Sequence, residues 1–136
     1  MSRALAVPTQ QALTYLAFDF GARRVGVATG NSVTRTATPL TTIAAEGEAR
    51  MAAIGALIEE WRPAALVVGV PYHPDGAAHE NTERARRFGR QLRARFGVPV
   101  HEVDERYTTT EAKSAGSADL DAAAAAIILE QHLAAP

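Results

Sequence analysis

Three acidic positions stand where a carboxylate is costly. Asp19 interrupts an apolar run at residues 15–20, "YLAFDF". If Leu16, Phe18 and Phe20 face one side of a strand, Tyr15, Ala17 and Asp19 face the other. A buried charge needs a partner, a metal or a job. Asp104, Glu105 and Arg106 follow directly on a second apolar run, at a strand end, where a rigid sheet can hold functional groups while a loop leaves them open. Neighbouring strand residues point to opposite faces, so Asp104 and Glu105 are not expected to share one task. Asp121 opens "DAAAAAIIL", where an acid near a helix start is also an ordinary cap. The five alanines would let that helix lie close to a sheet. Carboxylates without Cys or His beside them suit hard cations such as Mg²⁺ or Mn²⁺. Two such ions about 4 Å apart can activate water and stabilise the leaving oxygen of a phosphodiester. The spacing permits this chemistry without requiring it. Asp19 could equally pair with an arginine or accept backbone amides.

The elements that must position these residues read as follows. Residues 15–20 and 24–29 form a hairpin around "GAR". Residues 36–43 make a third strand, pushed to the edge by Pro39. A helix with Met51, Ile54, Ile58 and Trp61 on one stripe ends at Pro63. Residues 64–70, apolar on both faces, suit an interior parallel strand, and Pro71 stops it. "YHPDG" is turn chemistry. A second amphipathic helix sets Ala85, Phe88, Leu92 and Phe96 on one face, and a strand follows at 98–103. "TTTE" reads as a capping box with Thr108 and Glu111. Three antiparallel strands followed by βα crossovers predict an α/β fold: a mixed five-stranded sheet with helices on both faces. Ligands of such sheets gather near strand ends.

Composition narrows the class. The chain has 136 residues, 47% hydrophobic and 21% charged, which suits one globular domain at 15–136 behind a loose leader at 1–14. The net charge is −1, so no global basic signal for nucleic acid exists. All of its 14 basic residues except Lys113 are arginine, the better fork for phosphate oxygens. There is no cysteine, which excludes disulfides, zinc–thiolate sites and a thiol nucleophile. No apolar stretch has the length of a membrane span, and a cytoplasmic setting is expected.

Taken together, "LAFDFGARRVGVATG", "ATPLTTI", "LVVGVPYHPDG", "ERARRFGRQLRARFGVPVHEVDERYTTTEA" and "DLDAAAAAIILEQHL" resemble the YqgF family, also called RuvX. These are bacterial RNase H-like proteins described as Holliday junction resolvases and as nucleases of pre-16S ribosomal RNA. The likeness runs from Leu16 to Leu133. It implies an RNase H-like sheet, metal-dependent nuclease chemistry with Mg²⁺ or Mn²⁺, and a structured RNA or branched DNA substrate. By position it implies Asp19, Glu105 and Asp121 as the catalytic, metal-holding acids. Gly21 would permit a tight turn beside the site, and Arg23 or Arg24 would meet phosphate. Gly69, Pro71, Asp75 and Gly76 of the "VVG.P...DG" block read as loop architecture. Two departures stand out. Asn31 occupies a place where the family often has an acid, and "KSAGSADL" carries only Lys113 where a basic loop is common.

Arg86, Arg90 and Arg93 form an i, i+4, i+7 stripe that could follow a phosphate backbone; a solvated helix face is the plain alternative. Arg86, Arg90 and Arg106 thus join Arg23 and Arg24 as candidate nucleic-acid contacts. His73, His79, His101 and His132 lack metal-ligand spacing, and only His73 is expected near the site. The leading expectation is an endonuclease trimming precursor 16S rRNA at its 5′ end, on ribosomal precursor particles. The alternatives are a junction-resolving DNA nuclease and a non-catalytic RNA-binding module, monomeric or dimeric. "DFGARRVGVA" also resembles the phosphate loop of actin-like ATPases, but those clamp a nucleotide between two such domains.

Overall fold

The computed structural model describes residues 12–105 and 118–135. Strand β1 (Thr14–Phe20) pairs antiparallel with β2 (Val25–Asn31), and β2 pairs antiparallel with β3 (Ala37–Ile43). Helix α1 (Gly47–Trp61) leads to β4 (Ala65–Val70), α2 (Thr82–Phe96) to β5 (Val100–Asp104), and helix α3 (Ala118–Ala134) follows. The strand order is β3-β2-β1-β4-β5, with β1–β4 and β4–β5 parallel. This is the mixed sheet that the sequence predicts. Pro39 does lie on the edge strand. It sits at a bulge, because Val27 pairs with Thr41 while Ala28 pairs with Pro39, leaving Leu40 as the extra residue. All six residues of β4 are buried, as an interior parallel strand requires.

Period-2 alternation divides the core in two. Leu16 and Phe18 of β1, Val25 and Val27 of β2, and Leu66 and Val68 of β4 pack with Ile54, Phe88 and Leu92 of α1 and α2. Each such side chain contributes about 1.5–3 kcal/mol when fully buried. On the opposite face Ala17 and Val67 meet Ile128, Leu129 and Leu133 of α3, and Ala28 meets Ala125 and Ala126.

Helix ends follow their residues. Arg62 closes α1 in the left-handed region at φ 48°, and its N–H donates to the Ile58 carbonyl; Pro63 then forbids continuation. Gly97 closes α2 in the same way at φ 67°. Helix α3 begins at Ala118, so Asp121 lies inside its first turn rather than before it. Among the described residues no helix is long and apolar enough to cross a membrane. The expected cap of Thr108 and Glu111, and Lys113 with its loop, lie outside the described residues.

Candidate active site

The β1–β2 register sets Asp19 opposite Gly26. The β1–β4 ladder pairs Phe18 with Val68, which puts Asp19 beside Gly69 on its other flank. Asp19 therefore stands between two glycines at one level of the sheet. Both glycines face α3, and each leaves room for another candidate acid. A Cβ on Gly26 would lie 1.9 Å from the Asp121 carbonyl oxygen, so the first turn of α3 rests directly on β2. A Cβ on Gly69 would lie 2.5 Å from Glu105 Oε2, so the Glu105 side chain occupies the space above β4. The Glu105 N–H donates to the Val70 carbonyl at 3.0 Å, fixing where that side chain starts. Asp19, Glu105 and Asp121 are 2%, 7% and 7% exposed. Three buried carboxylates at one end of a sheet are unusual away from functional sites.

The same alternation explains why α3 can approach. Gly26, Ala28 and Gly30 share the α3 face of β2, and a Cβ on Gly30 would meet Leu129 Cδ2 at 3.0 Å. The alanine run of α3 packs on this strip, with Ala125 fully buried.

Arg24 reaches Asp121: its Nε lies 2.7 Å from Oδ2. The same buried Oδ2 has no hydrogen bond of good geometry, so the contact is held by charge rather than by a directed bond. Arg23 is exposed beside it. Gly21, Ala22, Arg23, Arg24, Glu46 and Asp121 line an open cleft of about 720 Å³. Gly21 earns its place by close approach, since a Cβ there would lie 2.6 Å from the Arg24 carbonyl oxygen.

Arg50 is a positioning residue that sequence reasoning missed. It is 6% exposed. Its Nε donates to the Ala45 carbonyl at 2.8 Å, and its Nη2 donates to the Gly21 and Ala22 carbonyls at 3.0 and 3.1 Å. The guanidinium also lies over the Phe20 ring, 5.4 Å from its centroid. Burial lowers its pKa from the ordinary guanidinium value while Glu46 opposes the shift; the group stays charged. Arg50 thus ties α1 to the turn that carries Arg23 and Arg24. In sequence it reads only as a polar interruption of an amphipathic helix.

Other candidates fall elsewhere. Arg86 and Arg90 stand on α2, on the opposite side of the sheet from the three acids. Arg86 pairs with Glu102 at 3.5 Å, and Arg90 pairs with Glu83. The register Val68–Glu102 and Val70–Asp104 puts Glu102 and Asp104 on the α2 face as well, where they line a separate cleft with Tyr72 and Gly76. Asp104 and Glu105 are thus divided between faces, as their spacing predicts. Asn31 pairs with Thr14 at the far end of the hairpin. Its Oδ1 accepts from the Val33 and Thr34 N–H groups at 2.9 Å each, so this amide shapes a turn. The loop after β4 is built as its residues suggest. Asp75 Oδ1 accepts from the Ala77 N–H, Gly76 adopts φ 91°, and the Pro71 carbonyl accepts from the Thr82 hydroxyl. His73 packs on His79, with ring centroids 5.1 Å apart. Arg106 lies outside the described residues.

The RuvX family of Holliday junction resolvases matches residues 13–135. The chain belongs to the RuvX family. A relative from Polaromonas sp., named "Putative pre-16S rRNA nuclease", is 69% identical over 120 residues, covering 88% of this chain and 87% of that one. One of the same name from Paraburkholderia phytofirmans is 54% identical, covering 95% and 93%. Among solved structures, Thermus thermophilus RuvC in complex with a Holliday junction superposes with a TM-score of 0.54. It is 16% identical and covers 89% of this chain and 93% of its own. At that identity the likeness speaks for the RNase H-like fold alone. RuvX membership makes the chain a nuclease-family protein, whose substrate class is nucleic acid.

The donors available at this RuvX site are carboxylate oxygens on a rigid floor, without thiol or imidazole, which fits a hard divalent cation. The two glycines carry no side chain of their own, and the room this leaves is taken by the Glu105 carboxylate over Gly69 and by the first turn of α3 over Gly26. Among the described residues no three acidic or imidazole side chains are drawn into a group that would hold a metal as they stand. The carboxylate of Asp121 is engaged by Arg24 instead.

Proposed function

We propose that this chain is a metal-dependent endonuclease that trims the 5′ end of precursor 16S rRNA in the cytoplasm, acting on ribosomal precursor particles. The observation that carries this reading is Asp19, set between Gly26 and Gly69 with Asp121 and Glu105 over those two glycines. Asp19, Glu105 and Asp121 would hold Mg²⁺ or Mn²⁺. When bound, such a cation supplies an acidified water and charge for the leaving oxygen. The sheet fixes Asp19, so little reorganisation is needed when substrate arrives. Arg23, exposed at the rim, offers a fork for a backbone phosphate. The relatives named for pre-16S rRNA support this substrate.

The family's description supports a second reading, cleavage of a four-way DNA junction. One assay separates the two. Purified protein is given a 5′-extended small-subunit rRNA precursor or a four-way DNA junction, each with Mn²⁺, Mg²⁺ or EDTA, beside Asp19→Asn. The expected result is metal-dependent cutting of the RNA, lost at least about 100-fold in the variant while its melting temperature is kept. Cutting of the junction alone selects the second reading. RNA binding that survives EDTA, with neither substrate cut, would sink both in favour of a binding module.

A further inference from the structure

We infer that Arg24 competes with the divalent cation for Asp121, and that cation entry releases the guanidinium to a substrate phosphate. The inference rests on the metal-site reading above and deepens it. Three observations carry it. Arg24 Nε stands 2.7 Å from Asp121 Oδ2. That oxygen is buried yet has no well-formed hydrogen bond, so charge alone holds the pair and a second cation can take over its role. The two side chains also differ in exposure, 35% for Arg24 and 10% for Asp121. The arginine can therefore leave into the cleft, whereas the helix-borne aspartate cannot.

The location makes the exchange useful. Arg24 borders the cleft beside Arg23 and Asp121, and it follows the turn that Arg50 ties down by two carbonyl contacts. The backbone is tied down while the side chain, 35% exposed, borders the open cleft. A guanidinium turned away from Asp121 enters the cleft lined by Arg23 and Glu46, where it would be open to a substrate phosphate. A forked donor suits that task better than an ammonium. A purely structural clamp between the hairpin and α3 would keep its guanidinium on Asp121 when the cation binds.

The test compares Mn²⁺ binding by calorimetry in the full chain, in Arg24→Gln, in Arg24→Lys and in Asp121→Asn. Removing a competing charge at this distance should tighten Mn²⁺ binding about tenfold in Arg24→Gln. Arg24→Lys, which keeps the charge, should stay near the parent. The Gln variant should bind precursor RNA more weakly in Mg²⁺ despite its better metal affinity. Equal or weaker Mn²⁺ binding in Arg24→Gln overturns the inference while leaving the metal site standing. Absence of Mn²⁺ binding in the parent, with Asp121→Asn indistinguishable from it, overturns the metal site itself. If Arg24→Gln fails to fold, the parent decides: its arginine Nε–H resonance, assigned by its loss in Arg24→Lys, must shift on titration with Mg²⁺. A resonance that does not respond to saturating Mg²⁺ refutes the exchange.

Discussion

The two faces of the sheet are built from opposite materials. Towards α1 and α2 the strands present Leu16, Phe18, Val27, Leu66 and Val68, and the helices answer with Ile54, Phe88 and Leu92. Towards α3 they present mostly small residues, Ala17, Gly26, Ala28, Gly30 and Gly69 beside Val67, and the helix answers with alanines at its start and Ile128, Leu129 and Leu133 further on. The first face fills volume and supplies most of the apolar burial. The second brings backbone close to backbone and leaves space at one end for Asp19, Glu105 and Asp121. Most of the apolar burial and the three buried acids thus lie on different sides of one sheet, and β1, with Phe18 on one side and Asp19 on the other, belongs to both.

Substitutions on the two faces should differ in kind. The largest effect is expected for Gly26→Ala, whose new methyl meets backbone at 1.9 Å. Backbone cannot yield as a side-chain tip can, so α3 must lift, at about 4 kcal/mol or more. Thermal unfolding of this variant should show that loss together with loss of cleavage. Phe88→Ala on the other face should cost about 3–5 kcal/mol, while its folded fraction cuts at the parent rate in a single-turnover assay. A matching loss of rate there would mean that the division between faces is false. Gly69→Ala sharpens the comparison, because the atoms nearest its methyl are side-chain tips, the Glu105 carboxylate and Ile128 Cδ1, rather than backbone. Its destabilisation should stay within about 1–3 kcal/mol. Displacing Glu105 should nevertheless slow cleavage about 100-fold. A variant that cuts normally would remove Glu105 from the site.

The smallest effect belongs to the far end of α3. There the His132 ring stacks on His101, with centroids 5.0 Å apart, and meets Tyr15 edge-on; Arg35 lines the same small cleft. Burial first, and the His101 charge second, lowers the His132 pKa from its ordinary 6.5. The unfolded chain then binds that proton more readily than the folded one. Stability should therefore be full above about pH 6.5 and decline as pH falls below it. The group is mostly solvated, so the decline should amount to less than about 1 kcal/mol. Urea midpoints at pH 5 and pH 7.5 should differ less in His132→Phe than in the parent; an unchanged difference would assign the pH response to other groups.

Much of this was legible in the residues before the fold was seen. Period-2 alternation put Asp19 on the face of Ala17, and Pro39 marked the edge strand. The alanine run announced a helix lying close to the sheet. The partner strip was less readable: residues 24–29 showed themselves as a strand, but the small residues Gly26, Ala28 and Gly30 alternating along it give no hydrophobic signal of a packed face. The partners of the charges were not legible. Arg24 and Asp121 are far apart in the chain, and only the docking of α3 joins them. The arginines of α2 suggested a phosphate-tracking stripe, yet Arg86 is tied to Glu102 across the α2–β5 packing, which no helical spacing reveals. Arg50 drew no notice because the three backbone carbonyls that hold it leave no mark in a sequence.

The placement of Asp121 on α3 has a consequence for how the protein comes into being. Strands β1 to β5 and helices α1 and α2 precede α3 in the order of synthesis. A nascent chain that has exposed only those elements carries Asp19 and Glu105 on a sheet with one bare face. The third acid arrives last, and it arrives only by long-range docking, the slowest kind of contact to form. On the function proposed above, competence is therefore withheld until α3 has emerged and seated. On the ribosome, that delay would keep a half-made copy from cutting RNA close at hand.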